Sequence, residues 1–384
     1  MLDSVLSILE RLVAFDTESS KSNLHLLDWV EELLAAQSVP FVRVPNDQGD
    51  KATLFVTIGP MVDGGIVLSG HTDVVPVVGQ AWSSDPFTLR VADGRAYGRG
   101  AVDMKGFAAL ALALVPEMKA APLRRPIHIM LSHDEEITCL GVVDTIRRMG
   151  VDLPRPAAVI VGEPTRLEVA DAHKGAACYL TEFKGLEAHS SKPHLGADAI
   201  LGAVAYAGEL ERVASELRAA GDPSGRFDPP FATLGIGRIG GGTARNIIAN
   251  HCFVEWEVRG IPQTDISAIE LRMERFAEEA VVPKMAVYGH PSAVTTRKMV
   301  EVPSLAPMTG SYAETLALRL AGRNATITVP YATEAGHFRR AEIPTVVCGP
   351  GSIDQAHQPD EYIELSELER GIAFMRGLIA EACR

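Results

Sequence analysis

The stretch from Ile66 to Asp73, IVLSGHTD, decides the fold. It is an apolar run almost without polar alternation, the mark of a strand buried on both faces. Such a strand belongs to a mostly parallel sheet with helices packed on each side. The same texture returns in ATLFVTIG (52–59), PIHIMLSH (126–133), AAVIVGEP (157–164) and IPTVVCG (343–349). Helical segments lie between these runs, as in MKGFAALALALVPEM (104–118) and the stretch from Leu140 to Met149. Ahead of them, Leu2, Val5, Leu6, Leu9, Leu12 and Val13 recur at helical spacing. Leu24, Leu27, Val30 and Leu34 do so again, which predicts two N-terminal helices.

From about Cys178 the texture changes. CYLTEFKG, a long helical stretch from Ala197 to Ala219, ATLGIGRIGGG, NIIANHCFVEWEVRG and a helix opening at Asp265 follow in turn. Strand, helix, strand, strand, helix, strand describes a ferredoxin-like α+β unit, and residues 178–294 are assigned to it. The helix-strand style resumes after about Thr295. The expected architecture is therefore a discontinuous α/β catalytic domain, 1–177 with 295–384, interrupted by an inserted α+β lid and dimerisation domain.

A chain of 384 residues exceeds the roughly 100 to 200 of one ordinary domain, in keeping with two. Its net charge of -13 opposes binding to nucleic acid or an anionic membrane and favours a small-molecule partner. The five cysteines are an odd number, widely spaced and without a C-x-x-C pair, so neither a disulfide framework nor a thiolate zinc site is indicated. The opening MLDSVLSILERLVAFDTESS lacks the features of a signal peptide, and no run reaches the length of a membrane span. A cytoplasmic location is expected.

His71 and Asp73 sit at i, i+2, so an extended chain points both to one face. Ligands of open α/β sheets bind beyond the carboxyl ends of strands, where this pair stands. Two more apolar runs end in acids: Glu135 and Glu136 follow PIHIMLSH, and Glu163 closes AAVIVGE. In extended chain those two neighbours would face opposite sides, one to ligate and one to meet substrate. Asp103 ends the loop YGRGAVD before a helix, and His357 lies in GPGSIDQAHQPDEY after the last strand-like run.

Each of these has a plainer reading alone. An Asp at a helix start is usually an N-cap, a run of acids is usually a solvated turn, and a lone loop His usually faces solvent. The recurrence at three strand ends outweighs them. His71, Asp103, Glu136, Glu163 and His357 together offer two imidazoles and three carboxylates, the donor set that two adjacent divalent ions need, with Asp73 and Glu135 placed to assist. A dinucleotide fingerprint fails, because after Gly98 and Gly100 its third glycine would fall at Asp103. Neither G-x-S-x-G nor H-E-x-x-H occurs.

The motifs SGHTDVVP, YGRGAVDMKGF, DEE, VGEPT and GPGSIDQAHQPDEY resemble, in order and along essentially the whole chain, a family of dinuclear zinc hydrolases. That family contains acetylornithine deacetylases, succinyl-diaminopimelate desuccinylases, aminoacylases and carboxypeptidase G. The resemblance implies that His71 and Glu163 hold one metal, that Glu136 and His357 hold the other, and that Asp103 bridges them. Asp73 would orient His71, and Glu135 would be the general base. Nitrogen and oxygen ligands without thiolate suit Zn²⁺, with Co²⁺ or Mn²⁺ able to substitute.

The resemblance also implies a homodimer whose inserted domain lends a histidine to the neighbouring active site. GLEAHSSKPHLGADAI carries it, with His189 the better match and His194 the alternative. GGGTARNIIAN points to Asn246 for the substrate carboxylate, and EWEVRGIP to Arg259 for the same anion. Glu257 stands where an Asp is common, and His133 where relatives have a small or apolar residue. TEAGHF (333–338) with GPGSIDQAHQPDEY most resembles the acetylornithine deacetylases. This implies hydrolysis of N2-acetyl-L-ornithine to L-ornithine and acetate, a step of arginine biosynthesis. Action on other N-acyl amino acids or dipeptides, and a noncatalytic binding protein on the same fold, are the competing expectations.

Overall fold

A computed structural model describes residues 1–384. The chain divides into two compact units, Met1–Ala172 with Leu305–Thr328 and Thr333–Arg384, and His173–Ser304 with Val329–Ala332. Along the chain, α1 (Leu2–Val13) and α2 (Leu24–Ala35) precede β1 (Phe41–Pro45), β2 (Ala52–Ile58) and β3 (Ile66–His71). Then come α3 (Lys105–Ala113), α4 (Val115–Ala120), β4 (Ile127–Ser132), α5 (Val143–Arg148), β5 (Ala158–Pro164) and β6 (Ala170–His173). The second unit runs β7 (Ala176–Lys184), α6 (Ala199–Ala220), β8 (Thr233–Gly241), β9 (His251–Arg259), α7 (Ile266–Phe276) and β10 (Ala293–Val302). The first unit closes with α8 (Tyr312–Ala321), β11 (Ile327–Val329), α9 (Ala335–Arg340), β12 (Thr345–Gly349) and α10 (Leu365–Ala382).

The large sheet has the order β1-β2-β4-β3-β5-β12-β6-β11. Its centre is parallel, because β3 pairs in parallel with both β4 and β5, and β5 with β12. Antiparallel pairs β1–β2, β2–β4 and β12–β6 flank that centre. Every residue of β3, β4 and β5 is buried, as their unalternating sequences require. His71 pairs with Ser132, so the ends of β3 and β4 are level and the site-bearing residues leave one edge of the sheet together.

The predicted single helix over 104–118 is two. Pro116 has no N–H to give, and its ring collides with the carbonyl four residues back, so α3 ends at Ala113 and α4 begins at Val115. The second unit's sheet has the order β8-β9-β7-β10, with all neighbours antiparallel. Asp198 and Asp265 cap α6 and α7 by accepting main-chain N–H bonds. Phe183, Tyr206, Val254, Trp256 and Met273 belong to a core of its own. The expected edges at 178 and 294 fall inside strands. The hydrogen-bond ladders carry β7 and β10 whole into this unit.

A buried histidine in β4 couples this core to pH. His128 stacks on Phe55 at 4.8 Å, pairs through Nδ1 with Thr57 Oγ1 at 3.0 Å, and has no partner at Nε2. Burial pushes its pKa down to about 4. The unfolded chain, with an ordinary imidazole, then binds more protons than the native one between about pH 6.5 and 4. Stability is complete above that window and falls as pH drops through it, by up to about 3 kcal/mol from this residue. We expect His128→Leu to flatten the pH dependence of urea unfolding in that window; an unchanged slope would refute the assignment.

Candidate dinuclear metal site

Asp103 is the centre of the arrangement. One of its oxygens, Oδ1, lies 3.0 Å from His71 Nε2, and the other, Oδ2, lies 3.1 Å from His357 Nε2. Glu163 Oε1 approaches His71 Nε2 at 3.7 Å, and Glu136 Oε2 approaches His357 Nε2 at 3.1 Å. The five sequence-predicted ligands thus meet as two imidazole–carboxylate pairs on either side of one carboxylate. His71, Glu135 and Glu163 have donor atoms within 4.8 Å of one another, as do His71, Asp103 and Glu136. Asp103 does not cap the helix it precedes, because the residue at the cap position of α3 is Met104.

Local structure fixes each ligand. His71 Nδ1 lies 2.9 Å from the main-chain carbonyl of Asp73, whereas the Asp73 carboxylate is 3.7 Å away. A carbonyl only accepts, so Nδ1 donates, and Nε2 faces Asp103 and Glu163. The expected orientation of His71 by Asp73 therefore runs through the peptide oxygen. Glu135 and Glu136 do not continue β4 as extended chain. They lie in a turn in which the amides of Thr138 and Cys139 bond to Asp134 O. Phe107 packs on Gly162, where a Cβ would fall 2.2 Å from the ring, and this close approach sets β5, with Glu163 at its end, against α3. His357 has φ of 61°, a left-handed conformation, and is half exposed.

Support comes from residues the sequence did not single out. Glu361 is buried and accepts from the amides of Val102 and Asp103 at 3.0 and 3.1 Å and from Arg99 Nη1 at 2.7 Å. Arg99 also bonds Gln80, whose Nε2 donates to His357 O at 2.8 Å. Glu334, equally buried, accepts from Ser69 on β3 and Ser132 on β4. Both glutamates lie within motifs, DEY and TEAGHF, but their partners are distant in sequence.

The electrostatics fit divalent cations. Burial raises the Glu135 pKa well above the carboxylate range; His71 opposes this, while Glu136, Asp103 and Asp73 add to it. Burial and then Asp103 lift Glu136 to about 7, and burial with Asp103 and Glu135 lifts Glu163. Bonds to Asp103 and Glu136 raise His357 to about 10. Burial works against charge on His71, yet Asp103, Glu163 and Glu135 outweigh it. Burial likewise opposes ionisation of Asp103, and its bonds to His357 and His71 hold it below the ordinary range. Glu163 Oε1 is buried without a hydrogen-bond partner, the position a cation completes.

The residues proposed for substrate and oxyanion stand on the second unit. His189 is exposed, and its Nδ1 accepts from Ser191 N–H at 3.1 Å, which leaves Nε2 as the protonated nitrogen. Ser190 N–H bonds Asn246 O at 3.0 Å, so His189 and Asn246 lie on adjoining segments. His194 is also exposed, and its carbonyl accepts from His290. Arg259 is paired with Glu257 at 2.9 Å, and His133 with Asp134 at 3.0 Å.

Residues 67–381 match the family model described as peptidase family M20/M25/M40. An acetylornithine deacetylase of Myxococcus xanthus is 34% identical, with 100% of this chain and 98% of the relative aligned. A tripeptidase from Staphylococcus aureus superposes with a TM-score of 0.77 at 18% identity, covering 100% of this chain and 99% of that one. A Bacillus subtilis protein described as a dinuclear metal binding peptidase does so with 0.66 at 16% identity, covering 99% and 98%.

Cations binding here displace protons from Glu136 and His357, so affinity should climb as pH rises from about 7 toward 10 and weaken below. Calorimetric titration of metal-free protein with Zn²⁺, repeated in buffers of different ionisation enthalpy, should show net proton release. Binding without proton release would contradict protonation of Glu136 and His357 in the metal-free site.

Proposed function

The chain belongs to peptidase family M20/M25/M40 and is a hydrolase acting on amides, and from that premise we propose that it deacetylates N2-acetyl-L-ornithine to L-ornithine and acetate, in arginine biosynthesis. The observation that carries the amidohydrolase chemistry is Asp103, one oxygen toward His71 and the other toward His357. The substrate reading is supported by the curated relatives of that activity aligned along nearly the whole chain and by the TEAGHF and GPGSIDQAHQPDEY segments.

In this reading His71 and Glu163 would hold one divalent ion, Glu136 and His357 a second, and Asp103 would be shared, with Zn²⁺ the metal and Co²⁺ a substitute. Such ions would supply a water of lowered pKa and polarisation of the amide carbonyl. Glu135 takes the proton from the attacking water and delivers it to the departing α-nitrogen as the C–N bond breaks. Its burial among other carboxylates gives it the raised proton affinity this requires. Asn246 and Arg259 receive the substrate carboxylate.

The protein acts as a homodimer, in which the partner subunit's His189 offers its Nε2–H to the developing oxyanion. Exposed Leu201 and Val204 on α6, with Ile236 and Ile239 on β8, supply apolar surface for such an interface. A cytoplasmic enzyme fits a chain in which no helix is long and apolar enough to cross a membrane.

With metal-replete protein, kcat/KM should be highest for N-acetylornithine in a panel that includes other N-acetyl amino acids, succinyl-diaminopimelate and dipeptides. Glu135→Gln should keep its metal and lose about 100- to 10,000-fold in kcat. A dipeptide as best substrate, or near-normal turnover by Glu135→Gln, would overturn the substrate or the base assignment respectively. Sedimentation should give twice the 41.1 kDa chain mass; a monomer of full activity would remove His189 from the mechanism.

A further inference from the structure

The turn that carries Glu135 and Glu136 belongs to no strand or helix, and beyond its own main-chain bonds to Asp134 O it is held by a side chain. Asp73 Oδ1 accepts the Glu135 amide at 3.1 Å, and Oδ2 accepts the Glu136 amide at 3.2 Å. Oδ2 also accepts the Ser19 hydroxyl at 2.7 Å. Asp73 and Ser19 are both buried, at 3% and 4% exposure, so water does not compete for these bonds. The His71 ring takes the Asp73 main-chain carbonyl instead, which leaves the carboxylate to the turn.

Ser19 is itself fixed. Its N–H donates to Val74 O at 3.1 Å, neighbouring Thr17 donates through Oγ1 to Thr72 O, and Asn23 Nδ2 reaches Thr72 Oγ1. Lys51 Nζ donates both to Ser19 O and to the carboxylate of Asp134, the first residue of the turn. The stretch from Thr17 to Lys51 therefore reaches the turn from two sides, and it lies outside the residues that match the family model.

We propose that Ser19 is a positioning residue that acts through Asp73 to aim Glu135 and Glu136. The Asp73 carboxylate has two possible employments, the paired amides or the His71 ring, whose Nδ1 is only 3.7 Å from Oδ1. The Ser19 hydroxyl adds a third donor on the amide side and so decides between them, because hydrogen bonds to a carboxylate are stronger than neutral ones. Without it the carboxylate rotates toward His71, both amides lose their acceptor, and the glutamates lose their fixed direction. The catalytic and ligand roles of Glu135 and Glu136 rest on the proposed function; the grip on their amides does not.

The test compares the full chain with Ser19→Ala, Asp73→Ala and the double variant. Amide exchange of the segment 133–139, followed by mass spectrometry in metal-free protein, should quicken about 10-fold in Ser19→Ala, the order expected when local opening is eased by the loss of one hydrogen bond. Peptides from β2 serve as the control for folding. In metal-loaded protein kcat should fall about 10-fold with KM within about twofold. Adding Ser19→Ala to Asp73→Ala should change neither readout, because no side-chain acceptor is left for the hydroxyl or the amides. Unchanged exchange in Ser19→Ala, or a full additional loss in the double variant, overturns the proposal. The exchange arm needs no substrate, so it decides the matter even where the deacetylase reading fails.

Discussion

Anions crowded where water has little access are the condition to which this fold answers. Asp73, Asp103 and Glu163, all buried, converge with His71 and with the partly buried Glu135 and Glu136 at the ends of three parallel strands. Such a group is unfavourable unless each charge finds donors or cations. The carboxylates sort by how they solve this. Asp73, Glu334 and Glu361 are filled by amides, hydroxyls and one guanidinium, and they brace the segments beside the site. Glu163 keeps an oxygen with no hydrogen-bond partner, 3.7 Å from His71 Nε2, and Asp103 and Glu136 lean on imidazoles that burial would prefer neutral. Full satisfaction goes with a bracing role, and an unfilled oxygen or reliance on an imidazole with the proposed ligand role.

Much of this was legible in the sequence. Unalternating apolar runs announce strands buried on both faces, and three of them end in or run toward His71, Glu136 and Glu163, so the fold and three of the five candidate ligands follow from one pattern. What escaped is of two kinds. Glu135 and Glu136 sit in a turn rather than an extended chain, because their direction is set by a carboxylate sixty-odd residues earlier. Pairings between Ser19 and Asp73, or between Glu334 and Ser69, join positions with no periodic relation, so no local pattern reports them. The edges of the second unit were misplaced for a related reason. The exposed residues of β10 carry little apolar signal, and only its ladder with β7 assigns it.

The two units differ in what they contribute. The first holds every candidate metal ligand, His71 and Glu163 on its parallel strands and the others on the turn and loops beside them. The second has its own core, and it presents His189 with a free N–H and Asn246 on the adjoining segment. Rigid placement suits charges whose separations must be exact to tenths of an ångström, and exposed polar groups on a separate body suit recognition of substrates that come and go.

The interrupted path of the first unit sets an order of assembly. His71, Asp103, Glu136 and Glu163 all leave the ribosome before the second unit begins, whereas His357 emerges only after that unit is complete. A nascent chain can therefore present one finished half of the site while the other half still lacks its imidazole. His357 is also the half-exposed member of an otherwise buried set, held on a left-handed loop. The last candidate ligand to be synthesised is thus the one at the rim, and an ion it shared with Glu136, as proposed, would be the one that chelators and competing metals reach first.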